Sequence, residues 1–153
     1  FPAAPARSDG RIREEILDAR ERGIIFDIGH GVGSFGFETA ETMLNAGFLP
    51  DAISSDVHSL SIKGPAYDQL VTLSKFLHLG MSITDIIGAS TTGPARAIRR
   101  HDLGTLSPGS IGDATILSIE KGEFIFTDSL GNTRSGEKKF TLKGIVLDGE
   151  MWG

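Results

Sequence analysis

Two hydrophobic patterns alternate along the first two thirds of the chain. Short apolar runs at residues 24–28 and 52–56 predict buried strands, since such runs are bounded by polar and glycine residues. Around them, apolar residues at helical spacing predict helices over residues 11–22, 37–46 and 67–79. The order helix–strand–helix–strand–helix, with short connections, is typical of a parallel α/β sheet with right-handed crossovers.

Capping signals mark the ends of several of these elements. Ser8 or Asp9 is expected to cap the first helix, and Gly23 to end it. Ser82 and Asp85 fit a capping box that starts a short fourth helix. Pro94 is expected at the first helical position (N1) of a further helix, which continues over residues 95–100.

The pattern changes after residue 102, where glycine and proline become frequent and helical spacing disappears. Short strands joined by glycine and asparagine turns are predicted there. They cover residues 114–119, 123–127, 139–142 and 144–147. We therefore divide the chain into an α/β part, residues 1–102, and a β part, residues 103–153.

Composition narrows the function classes. The chain has 153 residues, 39% of them hydrophobic, which is enough for a sizeable core. Its formal charge of −5, without a basic block, argues against nucleic acid or an anionic membrane as the main partner. No apolar run approaches the ~20 residues needed to cross a bilayer. Without cysteine, any metal site must use histidine, carboxylate or a modified side chain, and cytoplasm is the default compartment.

Candidate chemistry lies where the two predicted strands end. Asp56 follows the second strand, with His58 two residues later, while His30 lies in the glycine-rich stretch after the first strand. Parallel strand ends converge on one crevice, so these groups are candidates for metal binding, proton transfer or substrate contact. The alternatives are a capping role for Asp56, a hydrogen bond to a backbone carbonyl for His30, and a position at the surface or behind the ligands for His58. The glycines at 29–33 could cradle a phosphate, although the lysine of a P-loop is missing.

Several segments, taken in order, resemble a known family. The chain reads F-D-I-G-H-G at 26–31, G-F-L-P-D-A-I-S-S-D-V-H at 47–58, T-T-G-P-A-R at 91–96 and G-T-L-S-P-G-S-I-G-D-A-T-I-L at 104–117. Their order and spacing resemble the C-terminal part of the amidohydrolase superfamily, in its dihydroorotase-like amidohydrolase/deacetylase branch. The resemblance implies an α/β fold, the last part of a (β/α)8 TIM-type barrel followed by strands of a small β-sandwich. It also implies a divalent metal, expected to be Zn, one or two in the complete enzyme.

The same resemblance implies roles for individual residues. Residues 24–28 would be barrel strand seven and residues 52–56 strand eight. Asp56 would then be the metal-binding aspartate that also accepts a proton from the hydrolytic water. His30, Gly31 and His58 would contact substrate. The His-x-His pair, the bridging lysine and the histidines of strands five and six have no counterparts here, so the chain resembles about the last third of such an enzyme.

The leading hypothesis is therefore the C-terminal portion of a metal-dependent hydrolase. The complete enzyme would cleave an amide, cyclic amide or ester bond of a small metabolite. The alternative is a non-catalytic fragment or interaction module without its own metal site. Because a truncated barrel leaves a strand edge open, the partner is expected to be the missing N-terminal barrel segment or a second copy of the chain.

Overall fold

The computed structural model describes residues 4–152. The first part of the chain places short parallel strands between helices. The elements run in the order α1 (Glu14–Glu21), β1 (Asp27–Gly29), α2 (Phe37–Asn45), β2 (Ala52–Ser54), α3 (Gln69–His78), α4 (Ile83–Ser90) and α5 (Thr92–Ala97). Strands β1 and β2 pair in parallel, with Ile28 opposite Ile53, which is the crossover arrangement that the alternating pattern predicts.

The remaining residues form an antiparallel sheet in the order β3–β4–β5. Its strands are β3 (Ala114–Thr127), β4 (Thr133–Leu147) and β5 (Glu150–Trp152). The four predicted short strands are corrected to two long ones, because the hairpin continues through bulges near Leu117 and between Lys121 and Phe124. A bulge bends a strand without ending it, so glycine at such a place resembles a turn in the sequence.

Three predicted boundaries also need correction. Helix α1 begins at Glu14 and not near residue 11, and its N-cap, Arg13, offers no side-chain hydrogen bond, so neither Ser8 nor Asp9 caps it. Strand β1 begins at Asp27, three residues later than predicted, and Ile24 and Ile25 are 52% and 44% exposed. Pro94 is the third residue of α5, which ends at Ala97. The capping box of α4 is confirmed, since Asp85 N donates to Ser82 Oγ at 3.1 Å.

Helix α3 lies at the centre and connects the two sheets. On one side, Gln69 Nε2 donates to the carbonyl of Ile53 in β2 at 2.7 Å. On the other side, Ser74 Oγ accepts from Phe140 N in β4 at 2.9 Å. The core consists of aromatic and aliphatic side chains from both parts of the chain: Phe35, Phe37, Ala40, Ile53, Leu73, Phe76, Met81, Ile86, Ala89, Phe126 and Phe140. One apolar core therefore fixes the position of the parallel strands relative to the hairpin.

Within residues 4–152, no helix has the length and apolar character that crossing a bilayer requires.

Candidate active site

A cavity of about 440 Å³ opens where β1 and β2 end. Its lining combines carboxylates and hydroxyl groups with small or apolar residues: Asp27, Ile28, Gly29, Ser34, Ser54 and Asp56. Asp27 and Gly29, two residues apart on β1, share one face of that strand. Strand β2 ends at Ser54 and not at residue 56 as predicted, so Asp56 lies two residues beyond it. One carboxylate of the cavity, Asp27, is the first residue of β1, and the other, Asp56, lies in the segment that follows the carboxyl end of β2.

Asp56 is the exposed carboxylate at the end of β2. Its backbone has φ 47°, a left-handed conformation that is uncommon for a residue with a side chain. Such conformations often persist at functional sites, where the surrounding structure holds them. Its backbone carbonyl accepts a hydrogen bond from Ser61 Oγ at 3.4 Å, while its side chain borders the cavity.

Two glycines make room for the Asp56 side chain. A Cβ on Gly29 would lie 3.1 Å from Asp56 Cβ, and a Cβ on Gly31 would lie 2.5 Å from Asp56 Oδ2. Gly31 also has φ 49°, and its N–H donates to Ser55 O at 3.1 Å. This amide is already bonded within the protein, which weakens the interpretation of the loop as a phosphate cradle.

His30, by contrast, points into the protein. Its ring is fully buried and stacks on Phe35, with the centroids 4.8 Å apart. Nδ1 lies 3.0 Å from Gly31 O, and Nε2 lies 2.6 Å from Lys75 Nζ. Burial, together with the positive charge of Lys75, lowers the pKa of His30. The ring nitrogens are therefore occupied, and the predicted substrate contact of His30 has no exposed ring atom to use in this structure.

Lys75 is a charged residue in the middle of the core helix. Its side chain is fully buried, and Nζ contacts His30 Nε2 at 2.6 Å, Pro65 O at 2.8 Å and Thr127 O at 2.7 Å. Burial lowers the pKa of Lys75 to about 8. The side chain remains mostly an ammonium at neutral pH, and its three donors match the three acceptors.

Asp128, in the turn between β3 and β4, is the buried carboxylate of this region. It accepts hydrogen bonds from Phe37 N at 3.0 Å, Leu130 N at 2.9 Å, and Asn132 N and Nδ2 at 2.8 and 3.1 Å. Burial raises the pKa of Asp128, but these hydrogen bonds outweigh it and hold the pKa below its usual value. Because Gly36 offers no capping side chain, Asp128 caps α2 from a distant part of the sequence.

His58 lies in the turn that follows Asp56 and is exposed. Its Nδ1 accepts from Leu60 N at 3.3 Å, and its backbone N–H donates to Ser61 Oγ at 2.9 Å. His58 and Gly31 are not among the residues that line the cavity. Of the predicted site residues, Asp56 alone lines it, with Gly31 packed directly against that carboxylate.

Three cavity residues, Asp27, Ser34 and Ser54, were not predicted, and Asp27 Oδ2 accepts from Ser54 Oγ at 2.7 Å. For Asp27, its position two residues before Gly29 on β1 was the available signal. Lys75 was also missed. The apolar spacing of α3 gives no sign that this lysine is buried, because the helix is buried at five consecutive positions and not along one face only.

The family resemblance implies a divalent metal, and the residues present fit only part of such a site. The Asp56 carboxylate is a suitable oxygen ligand, exposed at a cavity and given space by two glycines. However, residues 4–152 contain no group of three or more His, Cys, Asp or Glu side chains that could hold a metal ion. The described residues can therefore supply a ligand to a metal centre but not enclose one.

Comparison with known proteins shows which family the chain matches. A sequence profile of the Amidohydrolase family matches residues 16–151. A protein of Enterococcus faecalis (strain ATCC 700802 / V583), named "Deacetylase", is 34% identical over 143 residues, which are 93% of this chain and 39% of that protein. The chain thus spans about two fifths of the length of that curated relative.

Solved structures give the same picture. The crystal structure of an adenine deaminase superposes with a TM-score of 0.88 and 34% identity, over 93% of this chain and 39% of that one. The crystal structure of a dihydroorotase gives a TM-score of 0.77 and 32% identity, over 91% of this chain and 37% of that one.

Proposed function

This chain belongs to the amidohydrolase family, and from that premise we propose that it is the C-terminal portion of a metal-dependent hydrolase. The complete enzyme would cleave a C–N bond, in an amide or cyclic amide, or an ester bond of a small metabolite. The names of the similar proteins, a deacetylase, an adenine deaminase and a dihydroorotase, all fit hydrolysis of C–N bonds.

The observation that carries this proposal is the placement of Asp56. An exposed carboxylate stands at the carboxyl end of a parallel strand, at a cavity, with left-handed backbone and two glycines against its side chain. Active sites of α/β barrels lie at this end of the strands. A carboxylate that served only as a cap would not need the space that Gly29 and Gly31 leave for it.

Asp56 has two tasks in this proposal, to bind a divalent metal, with Zn as the expected ion, and to transfer a proton. A bound divalent metal would polarise the scissile carbonyl and lower the pKa of the attacking water. As the water oxygen bonds to the carbonyl carbon, Asp56 accepts the proton and then gives it to the leaving nitrogen when the C–N bond breaks. The small residues Gly29, Ser34 and Ser54 leave room for substrate beside this carboxylate.

In the complete barrel, β1 and β2 would be strands seven and eight, and residues 103–153 would join the β-sandwich. The remaining metal ligands would then come from residues outside this sequence. Ile24 and Ile25, 52% and 44% exposed just before β1, would pack against the preceding barrel segment. Without that segment, we expect a second copy to cover them, and a compact monomer in size-exclusion chromatography of the 153-residue chain would contradict this.

Substitution of Asp56 tests the function directly. In the complete polypeptide that contains this sequence, Asp56→Asn should lower kcat for amide hydrolysis by about 10²- to 10⁴-fold and leave the fold intact. Asp18→Asn, on the exposed surface of α1, is the matched control and should retain full activity. Unchanged kcat in Asp56→Asn would exclude the proposed role.

A non-catalytic module is the second candidate, and the incomplete ligand set among the described residues favours it for the isolated chain. Elemental analysis of the purified 153-residue chain separates the two cases. Near-zero divalent metal, with metal present in the complete polypeptide, fits a portion of an enzyme. Absence of metal from both would favour the non-catalytic module. A cytoplasmic location stays a prediction, to be tested by fractionation of cells that express the complete protein.

A further inference from the structure

The ammonium of Lys75 joins three segments that are far apart in the sequence. Its hydrogen bonds reach His30 in the loop after β1, Pro65 in the loop after β2, and Thr127 at the end of β3. The two loops leave the same strand ends that form the cavity. Lys75 itself belongs to α3 and is fully buried, so it supports the loops around the cavity and does not line the cavity.

The contacts of His30 fix which nitrogen carries the proton. A carbonyl oxygen can only accept, so the 3.0 Å contact with Gly31 O requires a proton on Nδ1. Nε2 is then the free acceptor of a neutral imidazole, and it receives a hydrogen from Lys75 Nζ. The imidazole of His30 thus links the Lys75 ammonium to the Gly31 carbonyl, so a displacement of Lys75 would also displace Gly31.

Gly31 completes the connection to Asp56. Its N–H donates to Ser55 O, and its Cα lies so close that an added Cβ would be 2.5 Å from Asp56 Oδ2. A shift of the Gly31 backbone would therefore either press on the carboxylate or leave a gap beside it. Ser129 Oγ, which donates to His30 O at 3.3 Å, holds the same loop from the hairpin side.

We propose that Lys75 and His30 are positioning residues, which set the place of the Asp56 carboxylate through Gly31. The inference rests on the proposed function, since it assigns these residues to the same site. Burial of a charged lysine in a core is costly and seldom the most stable choice. Its ammonium bonds three separate segments of the chain, which an apolar side chain of the same length cannot do.

Lys75→Met in the complete enzyme is the main test, because methionine keeps the length of the side chain and removes its donors. A displaced catalytic group lowers kcat more than KM, so we expect kcat to fall about 10- to 100-fold with KM changed less than about threefold. Lys75→Gln retains two donors and should show a smaller fall in kcat. It also serves as the readable variant if Lys75→Met does not fold.

Ser74→Ala is the matched control on the same helix. It loses the bond between Ser74 Oγ and Phe140 N, which joins α3 to the hairpin but touches neither loop. A purely structural role of this region predicts that both substitutions lower stability and spare kcat. The positioning role predicts that Ser74→Ala lowers stability alone.

Hydrogen exchange of the Gly31 amide provides a readout that is independent of catalysis. This N–H is bonded to Ser55 O, and Lys75→Met should accelerate its exchange at least about tenfold, while Ser74→Ala leaves it unchanged relative to global unfolding. His30→Phe keeps the stacking on Phe35 and removes both ring nitrogens, and it should reproduce the effect of Lys75→Met on kcat and on exchange.

The inference is overturned if Lys75→Met, or Lys75→Gln where the former does not fold, keeps kcat within about twofold and the wild-type exchange of Gly31. It is also overturned if His30→Phe shows wild-type kcat and exchange. Failure of the proposed function looks different: Asp56→Asn would then remain fully active, while exchange of Gly31 would still respond to Lys75.

Discussion

Polar groups at the strand ends and polar groups in the core beside them differ in exposure and in hydrogen bonding. At the strand ends, Asp56 is exposed and borders a cavity, in a left-handed backbone conformation. Directly beneath, His30, Lys75 and Asp128 are buried and bonded to backbone groups of several loops. The exposed carboxylate is available to a ligand, whereas the buried groups are saturated by the protein.

The difference separates groups that react from groups that hold them in place. A buried polar atom costs free energy unless it is bonded, so full satisfaction is the expected condition of a structural network. An exposed group such as Asp56 gains no stability from buried hydrogen bonds. Neighbours such as Gly31 must therefore hold it in its unfavourable backbone conformation. Each prediction below changes one of the two regions and asks whether the other responds.

The largest effect on stability is expected from Asp128→Ala. The substitution leaves the buried N–H group of Phe37 and the partly buried N–H group of Asn132 without an acceptor, and it removes the cap of α2. We expect the free energy of unfolding to fall by about 3 to 4 kcal/mol, measured by urea denaturation. Asp102→Ala, whose exposed carboxylate pairs with Arg100 in a local contact, is the control and should leave the free energy of unfolding nearly unchanged.

The pH dependence of stability should report on Lys75. In the unfolded chain Lys75 keeps its proton to about pH 10.5, while in the folded protein burial lowers its pKa to about 8. Between these values the unfolded state binds more protons, so the free energy of unfolding should rise with pH, by at most about 3 kcal/mol.

Comparison with Lys75→Met isolates this contribution, because the other titrating groups are common to both proteins. Chemical denaturation at several values between pH 7.5 and 10.5 measures the difference, in steps of about 0.5 unit. A wild-type profile parallel to that of Lys75→Met would show that the Lys75 pKa is not lowered in the folded protein.

Gly31→Ala tests the contact between the two regions. The new methyl group would meet Asp56 Oδ2, and the left-handed backbone at φ 49° adds strain. We expect kcat of the complete enzyme to fall about 10- to 100-fold, with a loss of stability near 1 kcal/mol.

Gly47→Ala separates the two causes, since Gly47 also has a positive φ, 74°, but open space around it. It should lose similar stability and keep full kcat. Equal losses of activity in both variants would mean that backbone strain, and not the position of Asp56, explains the Gly31 result.

The smallest effect is expected from Ser82→Ala, at the start of α4. Ser82 Oγ accepts from Asp85 N at the start of α4, and loss of an N-cap costs about 1 kcal/mol. Thermal unfolding should show this loss with kcat unchanged. A change in kcat would contradict this expectation and would mean that the start of α4 influences the position of the strand ends.

Local signals in the sequence predicted the presence of helices and strands better than the residues at which they begin and end. Helices α2 and α3 and the capping box of α4 were found from apolar spacing and from Ser82. The start of α1 was wrong because Ser8 and Asp9 look like caps, yet Asp9 instead bonds Arg11 through its side chain. The hairpin was divided too finely, because a strand that bends through a bulge carries the same glycine signal as one that ends.

Sequence reasoning about the candidate site reached only residues that lie within one segment. Asp56 could be named from its position after an apolar run, and the fit of Asp56 to a metal centre remains a prediction. His30 was predicted to contact substrate, but its ring lies in the core against Phe35 and Lys75. Which way a loop histidine turns depends on partners 45 residues away, which no local pattern contains.

The sequence by itself determined the alternation of helix and strand, the family, and the carboxylate at the end of β2. These follow from side-chain periodicity and short motifs, which are properties of neighbouring residues. Only the tertiary structure decided that Lys75 is buried, that Asp128 caps α2, and that Gly31 lies against Asp56. Each of these depends on contacts between segments distant in the chain, and packing of one shared core brings those segments together.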